Sequence, residues 1–427
     1  MQTFQSAGKR APRFAGLRTP RHAMATAFSA LLLVAAPAAF ARVYSGLEVF
    51  LAKHTDLVRG LRVGLLTNPT GVDANLQATA DLLKRDPRVN LVALFAPEHG
   101  IRGDVRAGDK VSGGVDSKTG LPVYSLYGKN GHKPSKEALS RIDVLIYDIQ
   151  DVGSRAYTYI WHLAECMKAA ATAGKTIIVL DRPDVFGGMV VDGPITERAR
   201  LSFIGLYPIP RVYGMTVGEL ARYLNHEEKI GCRLKIVPML NYRRGMSWKQ
   251  TGLPWVPTSP HVPTPDAACC FAATGTLGET GVLNIGIGYT IPFQAVAAPW
   301  IDADKTAAAL NALRLPGVRF RPIHYKPFYG AYAKQLVHGV QIHVTNPARF
   351  LPATTEVAIL CHLRKYYPGP SRFHWRVDKN AGFDKAMGTD TVRKRVAAGW
   401  SYQAIARAWQ RDLLIFKAKR AKYLIYK

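Results

Sequence analysis

The sequence predicts an α/β protein: a Rossmann-like open, mostly parallel sheet with a second, smaller α+β domain. Three observations carry that expectation. Four short apolar runs punctuate the first half: RVGLLTN at 62–68, LVALFAPE at 91–98, DVLIYDIQD at 143–151 and TIIVLDRP at 176–183. They are continuous rather than alternating, the pattern of strands buried on both faces of a parallel sheet. Helical spacing fills the gaps, in LQATADLLKRD (76–86) and AYTYIWHLAECMKAAATAG (156–174), the latter ending on Gly174 as a C-cap. The texture then changes. Pro and Gly crowd residues 252–293, after which helical patterns at 305–315, 354–367 and 401–420 alternate with a strand pattern at 339–346. Strand–helix alternation implies an open parallel sheet over 42–270, and the later elements a further domain over 271–427.

Residues 1–41 stand apart. Lys9, Arg10, Arg13, Arg18 and Arg21 precede an apolar run that closes on Ala39-Phe40-Ala41. A basic region, an apolar stretch and an A-x-A site make a secretory signal peptide, cut before Arg42. No later segment is long and apolar enough to span a bilayer, so stable membrane insertion after cleavage is not expected. Loss of the leader's five positive charges lowers the net charge from +27 to +22. A basic protein in a periplasmic or extracellular setting suits an anionic partner such as cell-wall glycan. Export argues against nucleic acid and against a dinucleotide cofactor. The five cysteines are odd in number and lack the spacing of a disulfide framework or a zinc site, so buried thiols are expected.

Polar residues follow one rule. Asn68, Glu98, Asp148, Asp151 and Asp181 all fall at the C-terminal end of an expected strand, the edge where open parallel sheets bind ligands. One such residue is common in ordinary βα turns; the recurrence over four strands marks a cleft. In LFAPEHGIRGD, Pro97 ends the ladder and Gly100 and Gly103 permit a tight path. Glu98 then reaches the cleft, with His99 and Arg102 placed to tune it or hold an anion. In YDIQDVGSRAYTYIWHL, Asp148 and Asp151 flank Gln150, Gly153-Ser154 open a helix, and Arg155, Tyr159 and His162 follow on helical spacing. Glu98 with Asp148 or Asp151 would supply the two carboxylates of glycosidic cleavage. A divalent ion on Glu98, His99, Asp104, Asp148 and His162 is the competing arrangement, but no H-E-x-x-H or comparable spacing exists. The Gly286-Ile287-Gly288 triplet lacks a third glycine and a following helix. No metal and no cofactor are expected.

The motifs GLLTNPTGVD, LFAPEHGIRGD, TGLPVYSLYG, DVLIYDIQDVGSRAYTYI, VLDRP, GMTVGELA and SPHVPT occur in this order from about residue 46 onward. Together they resemble the bacterial exo-β-N-acetylmuramidase family, also called domain of unknown function 1343. The resemblance implies a hydrolase with a cleft between two domains, releasing N-acetylmuramic acid from non-reducing ends of peptidoglycan fragments. It implies Glu98 as the catalytic acid, with Asp148 or Asp151 as second carboxylate or electrostatic support. His99, Gln150 and Arg155 are the implied substrate-binding residues, and Asn68, Tyr159 and His261 are expected to bind substrate beside them. Arg102 or Arg155 is expected to pair with the lactyl carboxylate of muramic acid. Departures are visible too. Ile285 and Ile287 stand where the family carries an acid and an Arg, Glu279 lies nearby as a substitute, and Tyr213 replaces a usual His. A non-catalytic binder of cell-wall or anionic glycan on the same fold is the alternative.

Overall fold

The computed structural model describes residues 41–103, 105, 113–127, 131–376 and 380–427. The leader and Asp104 lie outside the described residues. The strands are β1 Arg62–Thr67, β2 Asn90–Ala96, β3 Gly114–Val115, β4 Pro122–Ser125, β5 Val144–Asp148, β6 Thr176–Leu180, β7 Asp192–Ile195, β8 Pro210–Val212, β9 Arg233–Val237, β10 Ala295–Ala298, β11 Val318–Tyr325 and β12 Val337–Val344. The four apolar runs supply β1, β2, β5 and β6.

Seven strands form one sheet in the order β3-β4-β2-β1-β5-β6-β9. Each neighbouring pair is parallel except the β3–β4 edge, which is antiparallel. The alternation of side chains explains why the runs are continuous. Val144 and Ile146 of β5 enter one core layer, with Val63, Leu65, Ile178 and Leu180. Leu145 and Tyr147 enter the opposite layer, with Leu66, Phe95, Ile177 and Val179. Both faces are covered, so every position wants an apolar residue.

The chain starts mid-sheet at β1, moves outward through β2 to β4, and crosses back to β5 on the other side of β1. The topological switch point therefore lies between β1 and β5, and the crevice above their C-terminal ends is the favoured ligand site of such a sheet. The second portion has its own antiparallel sheet, β10-β12-β11. Its core is not separate. The layer holding Phe95 and Trp161 continues through Ala267, Leu277, Phe320, Val340 and Leu360.

Three elements differ from expectation. The helix Pro265–Gly278 runs through the Pro/Gly-rich stretch, started by Thr264, whose hydroxyl accepts from Ala267 N, and by Pro265 in the first turn. The helix after β5 begins at Tyr159 rather than at Gly153-Ser154; Ser154 instead bridges to Val212, so no helix N-terminus is available there for an anion. The C-terminal helix is broken into Tyr402–Arg407 and Gln410–Arg420, because Ala408 N turns back to Ile405 O and Trp409 is drawn into the core. All five cysteines are thiols, and four are buried. No helix among the described residues is long and apolar enough to cross a membrane.

Candidate active site

At the end of β2 the backbone turns sharply. His99, Gly100 and Gly103 take φ of 72°, 78° and 82°. Glycine tolerates that region, but an L-residue such as His99 pays roughly 1–2 kcal/mol for it. A Cβ on Gly103 would come within 2.7 Å of the Pro69 ring, so this turn packs directly on the loop after β1. The result lifts the half-buried Glu98 onto the open edge while the imidazole of His99 folds inward, Nδ1 lying 3.0 Å from Val105 O.

Glu98 sits in a cradle of hydroxyls. Thr158 Oγ1 donates to Glu98 Oε2 at 2.9 Å. The Tyr127 phenol, pushed up to about 12 by burial and then by the neighbouring Glu98 charge, keeps its proton across the physiological range. His261 lies near His99, and its protonation is disfavoured first by burial and then by that neighbouring imidazole. His261 Nε2 in turn meets the Tyr329 hydroxyl at 2.9 Å. Glu98, His99, Tyr127, Thr158, His261 and Tyr329 thus gather from five separate loops. Asn68 lies below them, its Oδ1 holding Thr70 and its buried Nδ2 turned toward the Tyr159 hydroxyl without a hydrogen-bond partner.

The acids after β5 and β6 have other duties. Asp148 is completely buried and takes a two-pronged ion pair from Arg182, at 2.5 and 2.8 Å, plus the Thr79 hydroxyl at 2.5 Å. With both oxygens engaged it has no route to a substrate, so the expected role as second carboxylate is corrected. Asp151 is buried as well. It accepts from Gly153 N at 2.7 Å and from the Tyr213 hydroxyl, and burial raises its pKa to about 6. Neighbouring Asp184, raised to about 7 by burial, touches the same turn: a Cβ on Gly153 would lie 2.4 Å from its Oδ1. Asp181 caps the helix Val217–Glu227 by accepting from Thr216 Oγ1 and Gly218 N. Gln150 anchors the loop through Pro183 O and Asp151 O rather than facing the cleft.

Both guanidinium groups proposed for the lactyl carboxylate are engaged elsewhere. Arg155 is fully buried and donates to the carbonyls of Pro194, Ile209 and Ala386, binding the two halves of the chain together. Arg102 is chelated by Asp116 at 3.0 and 2.9 Å and by Asp81 at 2.9 Å. Tyr159 is core, its hydroxyl donating to Thr258 O at 2.6 Å, not a stacking face. His162 is enclosed by His132, Phe203 and Tyr127, and burial pushes it down to about 3.

Two family models match adjoining stretches of the chain: exo-beta-N-acetylmuramidase NamZ, N-terminal, over residues 63–266, and its C-terminal counterpart over 269–426. The chain belongs to the exo-β-N-acetylmuramidase family. A peptidoglycan beta-N-acetylmuramidase NamZ of Bacillus subtilis (strain 168) is 41% identical over 385 residues, covering 90% of this chain and 92% of that protein. Two crystal structures of DUF1343 family proteins from Bacteroides fragilis NCTC 9343 share the fold. One has a TM-score of 0.85 at 43% identity, covering 90% of this chain and 99% of the other. The second has 0.71 at 30% identity, covering 91% and 99%.

The departures from the family pattern have structural consequences. Ile285 is core, packed against Gly278, and Ile287 packs toward Gly330, so neither offers a polar group to the cleft. Glu279 is exposed, its carboxylate lying against Gly382 in the helix Asn380–Met387 rather than against Glu98. Tyr213 is the proton donor to Asp151. Tyr127 and Thr158 stand inside the family motifs, but nothing in the sequence marks them as neighbours of Glu98. Nothing in the sequence signals Tyr329 or Asp184.

Proposed function

We propose that this protein is an exported, exo-acting glycoside hydrolase that releases N-acetylmuramic acid from the non-reducing ends of peptidoglycan fragments. Glu98 is the general acid. The observation that carries this reading is the setting of Glu98: Thr158 donates to it at 2.9 Å and the Tyr127 phenol neighbours it at the ligand edge of the sheet. When Glu98 gives its proton to the leaving glycosidic oxygen, the C–O bond breaks and water adds at the anomeric carbon, its proton passing to solvent, while the Thr158 hydroxyl stabilises the carboxylate that remains at Glu98. His261 is positioned to orient the sugar, His99 braces the turn that carries Glu98, and the half-buried setting of Glu98 limits water around the transferring proton. Membership of a hydrolase family, with a B. subtilis relative described as a peptidoglycan beta-N-acetylmuramidase, supports the substrate class. The basic, apolar leader ending in Ala39-Phe40-Ala41 supports export.

The test is turnover of a chromogenic N-acetylmuramide by purified protein. Glu98→Gln is isosteric but has no acid proton, and kcat is expected to fall about 10²–10⁴-fold. Undiminished turnover in that variant would overturn the assignment. Binding of muramyl sugars without turnover by the wild type would favour the glycan-binding alternative.

A further inference from the structure

The loop joining β11 to β12 carries an aromatic surface that the catalytic reading does not use. Phe328 is 72% exposed and Tyr329 54% exposed. Large adjoining aromatics are seldom left open to water without a partner. They are not loose. Tyr289 stacks on buried Tyr325 at 4.7 Å and 24°, and on Phe328 at 6.2 Å and 28°, so a row of near-parallel rings climbs from the core to the surface.

The backbone holds this row in place. Phe328 N donates to Gly288 O at 2.7 Å, and Lys334 N closes the loop on Pro327 O at 2.8 Å. Asn284 Nδ2 donates to Ala331 O at 2.8 Å and Tyr332 Oη to Val282 O at 3.0 Å. At Gly288, whose φ is 84°, a Cβ would lie 2.0 Å from Tyr329 O. Only glycine lets the two loops meet so closely. The Asn284–Tyr289 turn is therefore the mount for the aromatic lip.

The lip is continuous with the site. Tyr329 Oη binds His261, His261 neighbours His99, and His99 follows Glu98 in the chain. An enzyme that removes a terminal sugar holds that sugar beside the acid and sends the rest of the glycan outward. Outward from Glu98, this chain of contacts ends on Tyr329, and the exposed ring of Phe328 belongs to the residue next to it in the chain. A pyranose presents a face of C–H bonds that stacks on an aromatic ring while its hydroxyls stay in water.

We propose that Phe328 and Tyr329 form the platform for the sugar on the leaving-group side of the scissile bond. This rests on the hydrolase reading above, and it makes the lip a determinant of aglycone preference rather than of chemistry.

The test compares two substrates on the full-length protein. One is the disaccharide N-acetylmuramyl-β-1,4-N-acetylglucosamine; the other is methyl β-N-acetylmuramide, whose aglycone is too small to reach the lip. Phe328→Ala is expected to raise KM for the disaccharide about five- to tenfold, the effect of losing one stacking face. Its loss of kcat/KM on the methyl glycoside should be at least threefold smaller, and Phe328→Trp should restore the disaccharide KM. Because the side chain is exposed, the variant should melt with the wild type. Equal loss on both substrates, or an unchanged disaccharide KM, overturns the proposal. If the wild type turns over neither substrate, the hydrolase reading fails by itself. Calorimetric titration with the disaccharide then decides the lip: weaker binding by Phe328→Ala upholds it, and equal or absent binding overturns it.

Discussion

The ends of β2 and β5 obey the same rule and do opposite work. Each delivers carboxylates to the ligand edge of a parallel sheet. After β2, positive φ at His99, Gly100 and Gly103 raises Glu98 to half-burial among hydroxyl donors. After β5, Asp148 and Asp151 stay beneath the surface, one clasped by Arg182 and the other by Tyr213 and Gly153. A carboxylate saturated by a buried guanidinium holds a loop in place; one cradled by neutral donors beside the opening can exchange a proton. The partner, not the residue type or its strand position, separates a carboxylate that anchors a loop from one that opens onto the cleft.

The sharpest way to break that distinction is to mutate across it. Glu98→Gln should remove nearly all activity yet shift the melting temperature little, measured by turnover and thermal denaturation side by side. Asp148→Asn should do the reverse in kind. It leaves Arg182 buried without its counter-charge, an arrangement that typically costs about 3–5 kcal/mol, and chemical denaturation reads it directly. Should Asp148→Asn instead keep its stability while losing turnover, the division between anchoring and cleft-facing carboxylates collapses.

Smaller effects sharpen the picture. Thr158→Val keeps the shape of the cradle and removes a donor from the carboxylate formed at Glu98. An activity loss of about tenfold is expected, in line with a charge-assisted hydrogen bond of roughly 1.5 kcal/mol, with stability little changed. Tyr213→Phe leaves Asp151 with one donor fewer and should destabilise by about 1–3 kcal/mol; guanidinium denaturation measures it.

The last comparison concerns pH. Asp184, raised to about 7, and Asp151, raised to about 6, bind protons in the folded state that the unfolded chain has released. Their contribution to stability is therefore lost as pH rises from about 4 toward 7. Buried His162, pushed down to about 3, imposes the opposite slope over part of that range. The informative quantity is thus the difference between Asp184→Asn and wild type. That difference should move in favour of the variant between pH 4.5 and 7.5, read as melting temperature at each pH.

The sheet was legible because burial on both faces writes itself as unbroken apolar runs, and Glu98 because a Pro and two glycines announced an unusual turn. The helix Pro265–Gly278 was not, although its Thr-Pro start is plain. Its residues are small and apolar all round, ACCFAATG, so it carries no amphipathic period to detect. Arg102 and Arg155 misled for a different reason. A guanidinium reads the same in sequence whether it meets a ligand, two neighbouring carboxylates as Arg102 does, or three buried carbonyls as Arg155 does, and only tertiary structure chooses. Tyr329 and Phe328 left no mark at all, since an aromatic on a loop tip looks like one destined for a core.

The two family models meet between residues 266 and 269, inside the first turn of the helix Pro265–Gly278. That helix belongs to the same apolar layer as Trp161 and Phe186 of the first half and Phe320 and Leu360 of the second. The junction that divides the two matched regions runs through the interior of the folded protein. It is a seam of inheritance rather than a hinge. Severing the chain there would strip a shared interior from both fragments, and each would be expected to precipitate where the uncut protein dissolves.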